Sequence, residues 1–431
     1  MSNNVLTEVN ECDTIKNIPF TRYDAGWVII CIGMAIGSGI VFLPLQMGVK
    51  GLVASALALL ITYPAVYFLT KIYIRTLSQT EKCTDYANII TQYLGKNWGA
   101  VLSFIYFFTI LKGMLGYATT ITHDSSVYLQ HFGVSNFSLS NTIWYPFILL
   151  TVLVSIASRG ERLLFKISGP FIVLKLLIII ILGVVMIPHW NFGNVNSMIP
   201  GSLLSLVSDV LVSLPFALFS IVFIQVLNPM NVAFRKIESD PKVATYRALR
   251  VSRIAYIILA VSVLFFAFSF MFSITEEEAR RGIAQNTSAL ALVADVIPGN
   301  LIPVLAMLLS IFAIMSSFLS VYLGFNDALS GIIINFVERF ITPGKTFNAL
   351  LPHIVKCIAI LLLWCWVIAD ISTMSFLQWT IGTFGLVSCL IPAYLVYHVP
   401  SLHPYRSLNV LYVALIGFML VISPLFKLLG H

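Results

Sequence analysis

The chain has 431 residues, 59% of them hydrophobic and 10% charged, with a mean hydropathy of +0.94 and a formal net charge of +7. A soluble domain needs far more polar surface than this, and a single soluble core stops growing at roughly 250–300 residues, so the surplus apolar surface faces lipid. The positive charge is spread over loops between apolar runs, which excludes nucleic acid as a partner and suits orientation in a lipid bilayer.

Residues 1–22 are polar, carry Glu8, Glu11 and Asp13, and lack the apolar stretch of a cleaved signal. They read as a cytoplasmic tail. Runs of about 20 apolar residues, the length a bilayer core requires, then follow at 24–45, 51–74, 98–121, 143–158, 164–187, 204–228, 252–273, 300–323, 352–369, 374–397 and 408–428. The expected fold is all-α, a polytopic membrane protein of about 11 helices. The fourth run is short, and Pro215 and Asn228-Pro229 interrupt the sixth.

With the N-terminus inside, 18 Lys and Arg fall in cytoplasmic segments and 4 on the opposite side. Lys112, Lys175 and Lys356 lie within spans. That bias predicts a cytoplasmic N-terminus and an outward C-terminus. The six cysteines form no CxxC pair and imply neither disulfide framework nor metal site. No P-loop, Arg-rich helix or HExxH motif is present, which argues against an ATP-driven pump, a voltage sensor or an intramembrane protease. No enzyme activity and no cofactor are expected; the chemistry belongs to the bundle interior.

The first span reads Gly33-Met-Ala-Ile-Gly37-Ser38-Gly39-Ile-Val-Phe-Leu-Pro44. Glycine costs about 1 kcal/mol relative to alanine in a helix interior, and broken backbone at membrane depth survives only where protein, water or ligand satisfies it. A break at Gly37, Ser38 and Gly39 would present half-helix N–H groups suited to a carboxylate. The same residues also fit a small-residue contact between helices. In the sixth span, Phe223-Ile-Gln225-Val-Leu-Asn228-Pro229 suggests a second interruption, or an ordinary helix end. The two lie five spans apart, and an odd repeat inverts topology. Paired breaks in inverted halves point to a secondary transporter's binding site. The halves would be 23–188 and 203–397, with 408–431 accessory.

Several stretches together resemble the hydroxy and aromatic amino acid permease family, in its bacterial serine/threonine branch. They are Thr21-Arg22-Tyr23-Asp24-Ala25-Gly26-Trp27, the Gly33 to Ile40 segment, Tyr63-Pro64 and Gly160-Glu161-Arg162-Leu-Leu-Phe-Lys166. Ile187-Pro188-His189-Trp190-Asn191, Gln285-Asn286-Thr287, Tyr322-Leu-Gly324 and Val399-Pro400-Ser401-Leu402 complete the set. The resemblance implies a leucine-transporter-like fold of 5+5 inverted repeats plus one helix, a bacterial inner-membrane location with a periplasmic C-terminus, and proton-coupled amino acid uptake. It also matches Gly37, Ser38 and Gly39 to the family's substrate-carboxylate segment. Phe223 to Pro229 matches the sixth-span break less cleanly, and the branch carries a lysine where Ser316 stands here.

Lys175 lies about twelve residues into the fifth span, roughly 18 Å deep at 1.5 Å per residue. A charge there is expensive, so the amine is a candidate proton carrier or a brace for the carbonyls of a broken helix. Lys112, roughly 21 Å into the third span, is its rival, or a partner for substrate carboxylate. Ser316 and Ser317 of the eighth span complete the coupling candidates; serines there also bond their own helix. Asp209 and Asp327 read as capping or loop groups near the boundaries.

The leading expectation is a symporter for a small polar amino acid, serine first and threonine or cysteine next, coupled to protons in preference to sodium. Gly37, Ser38, Gly39, Phe219, Phe223, Gln225 and Asn228 would form its pocket. The alternatives are a passive channel, a non-transporting membrane sensor or an aromatic amino acid carrier.

Overall fold

The computed structural model describes residues 18–78, 92–131, 134–137, 139–159, 161–196, 202–284, 289–296, 301–338, 340, 344–370 and 380–428. The tail before residue 18, Gly160, residues 285–287 and the start of the tenth span at 374–379 lie outside the described residues, as do the side chains of Ser38 and Ser316. Among the described residues every regular element is helical. In chain order these are α1 Arg22–Ala35, α2 Ser38–Ser78, α3 Lys96–His131, α4 Trp144–Ala157, α5 Glu161–Met186, α6 Leu203–Phe219 and α7 Leu227–Ile237. There follow α8 Pro241–Ser273, α9 Glu276–Ala284, α10 Ala289–Val296, α11 Leu301–Val337, α12 Lys345–Ile368, α13 Ile381–His398 and α14 Leu408–Leu428.

Eight described stretches are long and apolar enough to cross a bilayer, and α4 is a shorter apolar helix. Helices satisfy their own backbone groups, which lipid cannot do. Leu60, Val261 and Leu408 stand 69%, 67% and 82% exposed in such helices, a cost in water and none against acyl chains. Several helices outrun their apolar windows. α8, for example, begins at Pro241, where Asp240 caps it by accepting from the Lys242 N–H, rather than near 252.

Two interruptions organise the bundle. α1 ends at Ile36, whose φ of −76° and ψ of 81° leave the helix, and the Gly37 N–H donates to the Ala35 carbonyl at 2.9 Å instead of to Gly33. The second gap separates α6 from α7. There Phe223 has φ −136° and ψ 29°, and Ile224–Val226 form one 3-10 turn. Pro229 does not cause this break: it sits third in α7, in the first turn, where a missing N–H costs no intrahelical bond. Pro215 and Pro44 lie inside continuous helix. Within α2, Gly51 (φ 80°, ψ 173°) occupies a backbone region open essentially to glycine alone, and there the first crossing turns into the second.

Asp209 is not a capping or loop group. It lies within α6 and pairs with Lys50, so it ties the first half of the chain to the second. Asp327 likewise stands inside α11. At the end of the bundle near the N-terminus, fully buried Asp24 accepts from Arg247 at 2.9 Å and from Arg250 at 3.1 Å. Arg247 also meets Glu238 and donates to the Thr21 hydroxyl at 2.7 Å, and Arg250 donates to the carbonyls of Ile18 and Pro19. Thr21 and Asp24 form a capping box at the start of α1. This network fastens α1 to the α7–α8 corner.

Candidate functional site

Ending α1 in mid-bundle strips carbonyls of their helical donors. The side chains that replace them come from two other helices. Lys175 of α5 is fully buried, and its Nζ donates to the Gly33 carbonyl at 3.0 Å and the Ile36 carbonyl at 2.9 Å. Ser317 of α11 donates to the same two oxygens at 2.9 and 3.0 Å. The Lys175 amine therefore sits at the negative end of the α1 dipole, where a positive charge would be favoured, and a hydroxyl stands beside it. Two side chains 142 residues apart in sequence converge on one backbone break.

The breaks also touch each other. A methyl group on Gly39 would lie 2.3 Å from Ser220 Cα and 2.4 Å from the Phe219 carbonyl oxygen. A methyl on Gly37 would lie 2.3 Å from Ser317 Oγ and 2.8 Å from Tyr117 Oη. Glycine is required at both positions because backbone and hydroxyls occupy the space a Cβ would take. Gly324 of α11 approaches the sixth-span gap in the same way, with the Gln225 carbonyl 2.5 Å from its would-be Cβ.

A cavity of about 60 Å³ opens beside these breaks. Met34, Phe42, Thr109, Lys112, Gly113, Gly116, Tyr117, Thr120, Phe219, Val222, Gln225, Val321 and Phe384 line it. At roughly 10–15 Å³ for each enclosed water, it has room for about four to six. Lys112, 2% exposed, donates from Nζ to the Thr380 carbonyl at 3.0 Å and lies 5.7 Å from the centre of the Phe219 ring. Phe219 meets Phe384 edge-on at 5.9 Å. Thr109 and Thr383 hydroxyls approach to 3.4 Å. After Phe384, α13 widens into a π-turn over Gly385–Leu390, a local geometry frequent at functional sites.

Of the residues expected from sequence, the structure brings Phe219, Gln225 and Lys112 together on the cavity. Lys175 and Ser317 form the carbonyl site behind it. Gly37 joins the two, touching Ser317 on one side and Tyr117 of the lining on the other. Gly39 packs against the backbone of Phe219 and Ser220 at the junction of the two breaks, and Phe223 and Asn228, expected in the pocket, are buried but do not line the cavity. The amide oxygens of Gln225 and Asn228 and the Tyr322 hydroxyl are buried without a hydrogen-bond partner. Thr109, Tyr117, Thr380 and Phe384 carry no sequence signal of their own. The small pair Gly113 and Gly116, which leaves α3 open beside the cavity, was the available clue.

The chain matches the model of the tryptophan/tyrosine permease family over residues 24–336. It is 42% identical over 419 residues to a "probable serine transporter" of Escherichia coli (strain K12), covering 96% of this chain and 94% of the relative. It is 23% identical over 416 residues to the serine transporter SdaC of that strain and 25% identical over 445 residues to the threonine/serine transporter TdcC of Edwardsiella piscicida, with at least 94% of every chain covered. Among solved structures, MhsT in complex with L-phenylalanine superposes with a TM-score of 0.56 at 14% identity, over 95% of this chain and 98% of that one. A Na+-coupled sialic acid symporter in a substrate-bound outward-open state gives 0.56 at 11% identity, over 94% and 90%. These two likenesses show a shared leucine-transporter-like fold.

Proposed function

The chain belongs to the tryptophan/tyrosine permease family, on the serine/threonine branch of the hydroxy and aromatic amino acid carriers, and on that premise we propose that it is a secondary active symporter importing serine with protons. Threonine and cysteine are the next candidates. The observation that carries the coupling is the convergence of Lys175 and Ser317 on the Gly33 and Ile36 carbonyls. A protonated lysine there supplies the positive charge that a bound cation would otherwise supply. Once it gives up its proton, the ammonium no longer balances the carbonyls at the end of α1. The break then loses the charge that fixes its geometry. Proton occupancy and the shape of the substrate cavity become one variable. Sodium is unnecessary on this reading.

The relatives' names support serine, and the small size of the cavity, about 60 Å³ and bounded by the rings of Phe42, Phe219 and Phe384, favours a small substrate. We place the substrate carboxylate at the positive N-terminal end of α2, at Gly37, Ser38 and Gly39. Gln225 supplies a polar contact from the sixth-span gap, with Phe219 bounding the pocket and Phe223 and Asn228 shaping it from behind. Residues 23–188 and 203–397 form the two inverted halves, and the last helix is accessory. The protein crosses the bacterial inner membrane eleven times with its N-terminus in the cytoplasm and its C-terminus in the periplasm. It catalyses no covalent step.

The test is serine uptake into proteoliposomes under an imposed pH gradient, with and without sodium. Wild type should respond to the gradient alone. Lys175→Gln should retain exchange of serine across the membrane but lose its response to pH. Uptake that requires sodium, or a glutamine variant still fully driven by protons, removes Lys175 from the mechanism.

A further inference from the structure

Resting on the reading of the cavity as an amino acid site, we propose that Lys112 is the cation that receives the substrate's carboxylate there and that Gln225 accepts from its ammonium. The site thereby selects zwitterions over amines. Lys112 is 2% exposed, and among the described residues none that lines the cavity is acidic. Its hydrogen bond goes to a neutral carbonyl, that of Thr380, while an ammonium has three N–H groups to place. The face of Phe219 offers some compensation for the charge at 5.7 Å. A buried cation without a counter-ion is costly, and here the wall of the cavity supplies none.

The same cavity holds the complementary defect. Gln225 is 7% exposed, lines the cavity, and its side-chain oxygen has no hydrogen-bond partner. A cation lacking an anion and an acceptor lacking a donor, on different helices around one small space, match the two ends of an amino acid. The carboxylate has two oxygens, so one can face Lys112 while the other faces the N-terminal turn of α2. The bond from Lys112 to Thr380 also ties α3 to the start of α13. Substrate that draws Lys112 inward therefore pulls on the bond that joins the two helices.

The experiment compares binding of L-serine and L-serinamide to purified wild type, Lys112→Gln and Lys112→Met by calorimetry. Serinamide keeps the hydroxyl and ammonium and lacks the carboxylate. Glutamine can still donate to Thr380 but carries no charge, and methionine keeps the length with neither. In both variants serine should bind about 10- to 100-fold more weakly, the range for losing a hydrogen bond to a charged group. Serinamide, a cation no longer repelled, should bind as well or better. A merely structural defect would weaken both ligands together, and that result overturns the proposal. So does a glutamine variant that binds serine like wild type, which would make Lys112 a brace for Thr380. If wild type binds no amino acid at all, the transport reading itself falls, whatever the variants do.

Discussion

Replacing Gly39 by alanine adds one methyl group at the place where the two broken spans meet. The methyl carbon would sit 2.3 Å from Ser220 Cα, 2.4 Å from the Phe219 carbonyl oxygen and 2.6 Å from its carbon. All three are backbone atoms, so no side-chain rotation relieves the contact. Ordinary contact begins at 3.4 Å, so the half-helices must separate by about 1 Å, and overpacking of this kind costs about 1–3 kcal/mol. Gly113→Ala is the matched control, since its nearest neighbour, Val321 Cγ1, would be 3.8 Å away. At that position the gain in helix propensity is about 1 kcal/mol, so the two alanines should move stability in opposite directions. Thermal unfolding in detergent reads both. Serine uptake into proteoliposomes should fall at least 10-fold in Gly39→Ala, because a 1 Å displacement at an assembled site costs up to about 100-fold. A Gly39→Ala protein with wild-type stability and uptake would show that the breaks do not pack as described.

Ser317→Ala removes one of the two donors serving Gly33 and Ile36 and leaves Lys175 in place. A neutral hydrogen bond contributes about 1 kcal/mol, so uptake should fall several-fold while its dependence on the pH gradient persists. Loss of that dependence would transfer the coupling role from Lys175 to Ser317. Asp24→Asn strips the carboxylate from a fully buried site that meets Arg247 and Arg250. Breaking a buried pair costs about 3–5 kcal/mol, and an unfolding temperature equal to wild type would refute the role assigned to this network.

Much of the architecture was readable because the bilayer imposes a length on apolar runs, and the short fourth run at 143–158 appears as α4, Trp144–Ala157. Charged residues hid the true helix ends. Arg247 and Arg250 continue α8 beyond its apolar window, since a helix persists once its backbone is bonded. The glycines at 37 and 39 marked the first break correctly to within one or two residues. Proline misled in the sixth span. Whether Pro229 breaks a helix or starts one depends on its place relative to the first turn, and in α7 it is the third residue. Threonines gave no warning either: Thr109 and Thr120 bond the carbonyls of Ile105 and Gly116 four residues back, as threonines in any such helix do. The Lys112–Thr380 bond joins residues 268 apart, a separation on which local pattern is silent.

What the geometry adds to the sequence is the placement of two charge problems on opposite faces of a single break. The α1 carbonyls, at the negative end of a helix, are met by Lys175. The N-terminal turn of α2, at the positive end of the next helix, lies where we place the substrate carboxylate. A continuous helix would leave neither end exposed, because Gly33 would accept from the Gly37 N–H and the dipoles would run on unbroken. Breaking the span at Gly37 therefore creates an anion-favouring end and a cation-favouring end within one turn of each other, with glycine as the only residue small enough to stand between Ser317 and Tyr117. On this reading, proton and substrate need no long pathway to sense each other. Each holds one end of the same interruption, and a change in either ligand alters the backbone that the other one binds.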